Sequence, residues 1–141
     1  MTYDSINSVL IDRFPELAEE IKKEYDWWKD EEPPPYCLFE GVLNSSGFME
    51  NLLFEETNIE LIKRIFIMFE DMAVCEDVKV RTLLQVGLLE YLWGDHKLLT
   101  IAHKYMHPNT KRLCEELQPY FKTQFEPVKL SKRKSKRRKL I

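Results

Sequence analysis

The sequence predicts an all-α protein, a single compact domain of five to seven helices in antiparallel pairs, followed by a disordered basic C-terminal tail. Three observations lead to this prediction. Apolar residues recur at spacings of three and four, no segment shows sustained period-two alternation, and 44% of the residues are hydrophobic, which is enough to build a core. We therefore expect a helical domain over residues 1–125 and a basic flexible tail over residues 126–141.

The first segment carries a helical stripe that a proline interrupts. Pro15 lacks an N–H and clashes with the preceding turn, so it predicts a break or kink near Phe14. Two helices, at about 4–13 and 15–28, and one bent helix both fit this pattern. The run Glu31-Glu32-Pro33-Pro34-Pro35 predicts a stiff extended connector. The stripe itself consists of Ile6, Leu10, Phe14, Leu17, Ile21 and Tyr25.

The middle of the chain predicts three more helices. One spans about residues 36–55 and is either continuous or interrupted at residues 44–47. A capping box formed by Thr57 and Glu60 predicts the start of the next, and Asp77 is the expected N-cap of the third, which ends near Gly94. The apolar faces of the last two contain Ile62, Ile65, Phe66, Phe69, Met72 and Ala73, then Val80, Leu83, Leu84, Gly87, Leu88 and Tyr91.

Two further helices, separated by Pro108, are expected to complete the domain. A short one covers His96–Tyr105, and the last runs from Asn109 to about Phe121. The apolar stripe of the last helix consists of Leu113, Leu117, Tyr120 and Phe121.

The charge of the chain divides between two parts of opposite sign. Residues 129–141 hold eight of the 21 Lys and Arg residues and none of the 24 Asp and Glu residues, so the preceding part holds 13 basic and 24 acidic side chains. The net charge of −3 conceals this division. An acidic body suits a basic protein partner, whereas a basic tail suits nucleic acid, an acidic surface or the body itself.

The tail is the candidate site for nucleic acid. It has no aromatic side chain for base stacking, so it can supply attraction to phosphate without reading the base sequence. A nuclear-import signal and a merely solubilising end are the alternatives. The candidate nucleic-acid-binding residues are Lys132, Arg133, Lys134, Lys136, Arg137, Arg138 and Lys139.

The best candidate for a protein-interaction surface lies where the first helices meet the proline run. Trp27 and Trp28 are adjacent, and neighbours on a helix point about 100° apart, so the two indoles cannot face one core. An exposed indole among carboxylates is typical of the anchors and the charged rim of an interface. The alternative is that one indole fills the core and the other covers it beneath the connector. The predicted partner-binding residues are Asp26, Trp27, Trp28, Asp30, Glu31 and Glu32.

The cysteines and histidines give little indication of a metal or redox site. The cysteines lack Cys-x-x-Cys spacing, which favours buried free thiols. The histidines would share one face of a continuous helix and could offer imidazoles to a metal, but surface or structural histidines are the favoured interpretation. These residues are Cys37, Cys75 and Cys114, and His96, His103 and His107.

No pattern in the sequence predicts catalysis. Glu90 interrupts an apolar run and must reach water or find a partner, for which Arg64 and Arg81 are candidates by helix position alone. A raised pKa could make Glu90 an acid or base, but a structural hydrogen bond is the favoured interpretation. Because there is no nucleophile–base pairing and no Gly-rich phosphate loop, we expect neither enzyme activity, nor a cofactor, nor a metal.

Five stretches of the sequence, all of them packing signals, together resemble a known class of proteins. They are Pro15-Glu16-Leu17, the acidic aromatic stretch ending Glu32-Pro33-Pro34, Phe69-Glu70-Asp71-Met72 in the helix predicted over residues 62–73, Leu88-Leu89-Glu90-Tyr91-Leu92, and Pro108-Asn109-Thr110-Lys111. Over about residues 8–120 the chain resembles a family of small all-helical bacterial proteins without assigned activity, some of which are similar to immunity proteins encoded beside polymorphic toxins. The resemblance implies no catalytic residue, and the basic tail departs from it.

These features predict a non-catalytic, intracellular protein-binding module, such as an immunity or inhibitor protein that neutralises a basic partner, for example a nuclease toxin. The alternative is a nucleic-acid-associated adaptor in which the tail holds phosphate while the helical body recruits a protein. The N-terminus lacks a signal-peptide pattern and no apolar run approaches the ~20 residues of a membrane helix, so a cytoplasmic location without membrane contact is expected. No feature predicts the oligomeric state.

Overall fold

The structure, a computed structural model, describes residues 1–121 and is built from helices. No strand occurs within these residues, and the predicted all-α class is confirmed. The predicted tail, residues 126–141, lies outside the described residues. The helices are α1 Ile6–Arg13, α2 Ala18–Trp28, α3 Pro35–Phe39, α4 Phe48–Glu55, α5 Ile59–Ala73, α6 Val78–Thr82, α7 Glu90–Leu92, α8 His96–Tyr105 and α9 Pro108–Glu115.

Two separate helices, not one bent helix, form the first segment. Phe14 leaves the helical conformation with φ −130° and ψ 73°, and a 3-10 turn, Pro15–Leu17, leads into α2. After α2 the chain is non-helical as far as Pro34. Pro35 was expected to belong to the connector, but it begins α3, because a proline at the first helical position lacks only an N–H that would have had no helical partner.

Two of the helices widen into π-helical segments. α3 continues as the first π-helical segment, Glu40–Ser45, and α6 continues as the second, Leu83–Leu89. The two segments contact each other, and the buried Asn44 side chain donates from Nδ2 to the carbonyl oxygen of Gly87 at 3.2 Å. Of the two arrangements that the sequence allowed for residues 36–55, the structure has the interrupted one, with the break before α4 at Gly47, which has φ 83°. Single π-helical turns of this kind often occur at functional sites.

α5 has the predicted buried face but a different N-cap. Oδ1 of Asn58 accepts from the N–H of Leu61 at 3.2 Å, so Asn58 is the N-cap. The capping box assigned to Thr57 was wrong by one residue, because the short amide of Asn58 is an equally good cap. Glu60 instead lies 3.7 Å from Arg64, one helical turn further along.

Aspartates cap α6 and α8. The predicted N-cap Asp77 accepts from the N–H of Lys79 at 3.0 Å and from the N–H of Tyr3 at 2.8 Å. These donors, that of Tyr3 first, hold the pKa of the Asp77 carboxyl below its ordinary value. Asp95 accepts from the N–H of Leu98 at 3.2 Å, and α8 has the predicted bounds.

A single carboxylate holds α9 on α5. Glu70 accepts from the N–H and Nδ2 of Asn109 at 3.1 and 2.8 Å, and from the N–H and Oγ1 of the buried Thr110, both at 2.9 Å. Burial by itself would raise the pKa of Glu70, but these hydrogen bonds outweigh it and lower the pKa below its ordinary value. The last helix differs from the prediction, since α9 ends at Glu115 and residues 118–121 form a further helical turn.

One buried cluster, to which every helix contributes, forms the core. The apolar faces predicted for α1, α2 and α5 are buried in it, apart from the half-buried Tyr25. Tyr120 is an exception at 69% exposure, because the helix that should have carried it inward has already ended. Of the cysteines expected to be buried, only Cys114 is, while Cys37 and Cys75 are half-buried. None of the helices in residues 1–121 is both long and apolar enough to span a membrane.

Candidate functional site

The end of α2 presents the two tryptophans differently. Trp27 is 78% exposed, whereas Trp28 is half-buried. The prediction that the two indoles cannot both be buried is confirmed. The alternative arrangement, with one indole inside the core, was wrong, since neither indole belongs to the buried cluster.

A tight turn with an unusual backbone conformation ends α2. Lys29 has φ 59° and ψ −112°, and the N–H of Glu31 donates to the carbonyl oxygen of Trp28 at 3.2 Å. These angles are those of the first central residue of a type II′ turn, a position that favours glycine. A residue with a side chain costs about 1–3 kcal/mol there, so the surrounding contacts must hold the turn in place.

The predicted acidic residues do not line a common groove with the indoles. Asp26 pairs with Lys22 one turn earlier on α2, with 2.9 Å between Oδ2 and Nζ. Asp30 and Glu31 are exposed at the turn. These three carboxylates therefore lie close to the indoles along the chain, but they do not line the groove that the indoles border.

Glu32, also predicted to bind a partner, has a structural role. Its carboxylate accepts from Nδ2 of Asn7 at 3.1 Å, and the same Nδ2 donates to the carbonyl oxygen of Pro33 at 2.9 Å. Asn7 and Pro33 are both buried. The contacts tie the connector to α1 and so determine where α3 begins relative to α2.

An open groove of about 340 Å³ lies between α2 and the helix that begins at Pro35. Of the predicted site residues, Trp27 and Trp28 border it. The carboxylates of Glu24 and Glu40 and the ring of Tyr36 complete it, and these three were not predicted. We call it the acidic aromatic groove, and it is lined by Glu24, Trp27, Trp28, Tyr36, Cys37, Glu40, Gly41 and Ser45.

Close contacts at two glycines position the walls of the groove. A Cβ on Gly41 would overlap Oε1 of Glu24, so this carboxylate rests directly on the backbone of the first π-helical segment. A Cβ on Gly87 would lie 3.3 Å from Cε2 of Tyr36, so the tyrosine ring packs on the second π-helical segment. The two π-helical segments thereby determine the positions of one carboxylate and one aromatic ring.

Burial and nearby carboxylates raise the pKa values of two tyrosines, Tyr36 and Tyr91. Burial raises the pKa of Tyr36, and the carboxylates of Glu40 and Glu90 raise it further. Burial also raises the pKa of Tyr91 to about 12, helped by its hydrogen bond to Glu50 at 3.0 Å. Burial alone raises the pKa of Glu90. Within residues 1–121 no lysine or arginine forms an ion pair with Glu24, Glu40, Glu50 or Glu90.

These properties suit the groove to a cationic side chain. A lysine or arginine head group attracts the face of an indole or phenol ring and forms charge-assisted hydrogen bonds with carboxylates. Glu40 is already oriented, since Oγ of Ser45 donates to it at 2.7 Å. The groove therefore offers rings and acceptors of the kind that a basic peptide segment needs.

A second open cleft, of about 480 Å³, lies beside α8 and α9 and has the opposite charge. Nζ of Lys104 lies 3.0 Å from Oε2 of Glu56, and Nε2 of His103 lies 3.6 Å from Oε2 of Glu115. No pattern in the sequence had indicated this cleft. We call it the basic cleft, and it is lined by Leu99, Thr100, His103, Lys104 and Lys111.

The three histidines do not share one helical face. α8 begins at His96 and ends at Tyr105, so His107 lies beyond it as the N-cap of α9. One continuous helix through all three was the condition for the metal interpretation, which the sequence did not favour, and this condition is not met. In the part of the chain that the structure describes, no three His, Cys, Asp or Glu side chains are close enough together to hold a metal ion.

The arginines considered as partners of Glu90 are engaged elsewhere. Nη1 of Arg64 lies 2.5 Å from Oε2 of Glu16, and Arg81 donates to the carbonyl oxygen of Cys75. The suggested pairs of Glu90 with Arg64 and with Arg81 were both wrong, because the position of a residue along its helix does not determine how far it lies from a residue on another helix.

The sequence matches the family model of a domain of unknown function, DUF7674, over residues 7–122. The chain belongs to the DUF7674 family. No curated protein and no solved structure matches the chain. Every residue that lines the acidic aromatic groove of this DUF7674 protein falls within the matched range.

Part of the DUF7674 groove had a signal in the sequence. Glu24 precedes Trp27 by three residues and Trp28 by four, and Tyr36 precedes Glu40 by four, which are the spacings of neighbours on a helix surface. Each pair could have been recognised as an acidic aromatic neighbourhood. Their meeting across α2 and α3 depends on tertiary packing and had no local signal.

Proposed function

We propose that this DUF7674 protein is a non-catalytic protein-binding module that recognises a basic segment of its partner in the acidic aromatic groove. One observation carries the proposal. The 78% exposed Trp27 borders a groove whose carboxylates, Glu24 and Glu40, have no cationic partner among residues 1–121. Large exposed aromatic side chains are frequent anchors of binding energy, and unpaired carboxylates beside them select a cationic partner.

The distribution of charge supports the same partner chemistry. Residues 16–40, which include both walls of the groove, contain nine Asp and Glu and three Lys. Such a local excess attracts a basic protein before contact and speeds association, an effect that salt weakens. The anchors supply affinity, and the surrounding acids supply speed and selectivity.

The specific form that we propose is an inhibitor or immunity protein whose partner is a basic enzyme such as a nuclease toxin. Nucleases bind phosphate with clusters of lysine and arginine. A surface of carboxylates and aromatic rings that covers such a cluster competes directly with nucleic acid, so binding and inhibition are the same event.

A second candidate function is that of a nucleic-acid-associated adaptor, supported by the basic tail. Seven of the eight residues from 132 to 139 are Lys or Arg. Binding of this kind should be independent of base sequence and should weaken steeply with salt through counterion release. In this function the groove would recruit a protein to the nucleic acid that the tail holds.

The experiment is to isolate the partner from the native host by affinity capture with mass spectrometry, and then to measure its binding kinetics. Trp27→Ala should weaken binding about 30-fold or more, the equivalent of about 2 kcal/mol, because it removes the exposed anchor. The double variant Glu24→Gln, Glu40→Gln should mainly slow association and reduce its salt dependence.

The control is Phe54→Ala, which removes a 42% exposed aromatic side chain from α4 that does not line the groove. It should leave the dissociation constant within about twofold. Unchanged rates for Trp27→Ala and for the double carboxylate variant would place the interface elsewhere. Capture of nucleic acid that is lost when the seven tail cations are replaced by serine would favour the adaptor.

A further inference from the structure

We infer that the basic run of this chain, residues 132–139, occupies the acidic aromatic groove in the free protein, so that a partner must displace it. The inference concerns the regulation of the proposed binding site and rests on that proposal. Glu24 and Glu40 lack cationic partners within residues 1–121, and the same chain carries the complementary charges near its C-terminus. The chain thus contains a segment with the chemistry expected of its partner.

The length of the intervening chain permits this contact. Ten residues separate Phe121, the last residue described, from Lys132. Ten extended residues reach about 33–36 Å. A folded body of 121 residues has a radius of gyration of about 14 Å, so this reach is comparable to its full diameter. A linker of this length lets the basic run contact a large part of the surface of the body, and no described helix has to unfold for this contact.

Charge favours the groove over the C-terminal part of the body. Residues 16–40 carry nine acids against three lysines, whereas residues 96–121 carry two acids against four Lys and Arg, not counting three histidines. Lys104 and Lys111 in the basic cleft repel the run. The aromatic rings of the groove add a cation–π attraction that a merely acidic surface lacks.

Tethering makes even a weak contact significant. A segment joined by a short linker has an effective concentration of about 1 mM, so a contact with a dissociation constant near 0.1 mM is occupied for about nine-tenths of the time. If the run fills the groove for about nine-tenths of the time, the apparent affinity for a partner falls about tenfold. Weakly basic proteins would then be excluded, while a strongly basic partner would still displace the run.

The first test is cross-linking of the full chain by a carbodiimide, which joins a lysine amine directly to a touching carboxylate. Peptide mass spectrometry should place the tail-lysine links on Glu24 and Glu40, and 0.5 M salt should remove them. An equal mixture of ¹⁵N-labelled and unlabelled protein separates links within one molecule from links between molecules. Links spread evenly over the exposed carboxylates, or found only between molecules, would overturn the inference.

Two double variants, matched in charge, remove two carboxylates inside or outside the groove. Glu24→Gln, Glu40→Gln removes both linkable carboxylates of the groove, and the tail links should disappear without moving to other carboxylates. Glu55→Gln, Glu76→Gln removes the same charge from exposed positions outside the groove and should leave the links to Glu24 and Glu40 in place. Equal losses in both double variants would mean that only the net charge of the body matters, which contradicts a seated run.

The second test uses a fluorescent synthetic peptide of residues 129–141 as the basic probe. It should bind the full-length variant in which the seven cations of residues 132–139 are serine about tenfold more tightly than it binds the native chain. Equal affinity for the two, with both sensitive to Trp27→Ala, would refute self-occupation and leave the proposed function standing. Tail links at the groove, together with a native partner that ignores every groove variant, would uphold the inference and refute the proposed function.

Discussion

The acidic aromatic groove and the basic cleft are open depressions of similar size, about 340 and 480 Å³, but their charges are satisfied differently. In the cleft, Lys104 is paired with Glu56 and His103 lies near Glu115, and of the lining lysines only Lys111 forms no ion pair within residues 1–121. In the groove, Glu24 and Glu40 have no cation within residues 1–121. A charge that is already paired must give up its partner before it binds a ligand, whereas an unpaired charge is free to bind one.

The two depressions also differ in what holds them. The groove rests on close contacts between side chains and the backbone of the two π-helical segments, at Gly41 and Gly87. The cleft depends on α9, which the carboxylate of Glu70 fastens to α5. Damage to either support should therefore affect one depression and spare the other, which makes the comparison testable.

The largest effect is expected from Glu70→Ala, which removes the acceptor for α9. The N–H and hydroxyl of the buried Thr110 would lose their partner, and an unsatisfied buried donor costs about 1–3 kcal/mol. We expect the free energy of unfolding to fall by about 3 kcal/mol, measured by urea denaturation. The basic peptide should still bind the groove at temperatures where the variant is folded.

The neighbouring Asp71→Ala is the control for that variant. Asp71 pairs with Arg13 at 2.8 Å, but the side chains of Arg13 and Asp71 are 39% and 45% exposed. The pair should therefore contribute less than about 1 kcal/mol to the free energy of unfolding. Similar losses for the two variants would show that Glu70 is an ordinary surface acid and that nothing special fastens α9.

The importance of Glu70 shows which parts of the fold were predictable from sequence. The buried face of α5 could be predicted because an apolar stripe is a local pattern that any core will bury. The bond from Glu70 to Thr110 spans 40 residues, and no local pattern encodes it. Small differences between adjacent residues are equally hard to predict, as the N-cap at Asn58 in place of Thr57 illustrates.

The site was predictable to the same limited extent. Adjacent indoles on one helix require that one be exposed, which is a geometric necessity, and Trp27 is exposed. Which acids would join it depended on how α2 packs against α3 and the first π-helical segment. The predicted residue Glu32 instead accepts a hydrogen bond from Asn7, and the carboxylates that line the groove are those of Glu24 and Glu40.

The next largest effect concerns pH, where Glu90 near the groove and Glu70 beside α9 should behave oppositely. Burial raises the pKa of Glu90 above its ordinary value of 4.5, so its charged form is disfavoured in the folded protein. Glu90→Gln should leave stability unchanged below about pH 4.5. As the pH rises from 4.5 through the raised pKa, the cost of burying the ionised Glu90 destabilises the native protein. At pH 7 the Glu90→Gln variant should therefore be more stable than the native protein by about 1 kcal/mol.

Glu70→Gln serves as the counterpart of opposite sign. The pKa of Glu70 is lowered below 4.5 in the folded protein. Its ionised carboxylate therefore makes its full contribution to the free energy of unfolding above pH 4.5, and this contribution is lost as the pH falls through the lowered pKa. The destabilisation by Glu70→Gln should therefore shrink in acid. Thermal melts of both variants from pH 3 to 7 test the pair, and curves of the same sign would contradict the assigned environments.

The smallest effect should separate stability from binding within the groove itself, through Gly41→Ala. Alanine in a helical segment is favoured over glycine by about 0.5–1 kcal/mol, and the displaced atoms are the end of the flexible Glu24 side chain, so the free energy of unfolding should rise by about 0.5 kcal/mol. The new Cβ must nevertheless push the Glu24 carboxylate off the backbone, and we expect binding of the basic peptide to weaken about fivefold.

A double variant tests whether this loss of binding comes from Glu24. Because Gly41→Ala and Glu24→Gln act on the same carboxylate, Gly41→Ala should weaken binding no further once Glu24→Gln is present. Binding that is unchanged in Gly41→Ala, or losses that add in the double variant, would mean that the position of Glu24 on the first π-helical segment does not matter for recognition.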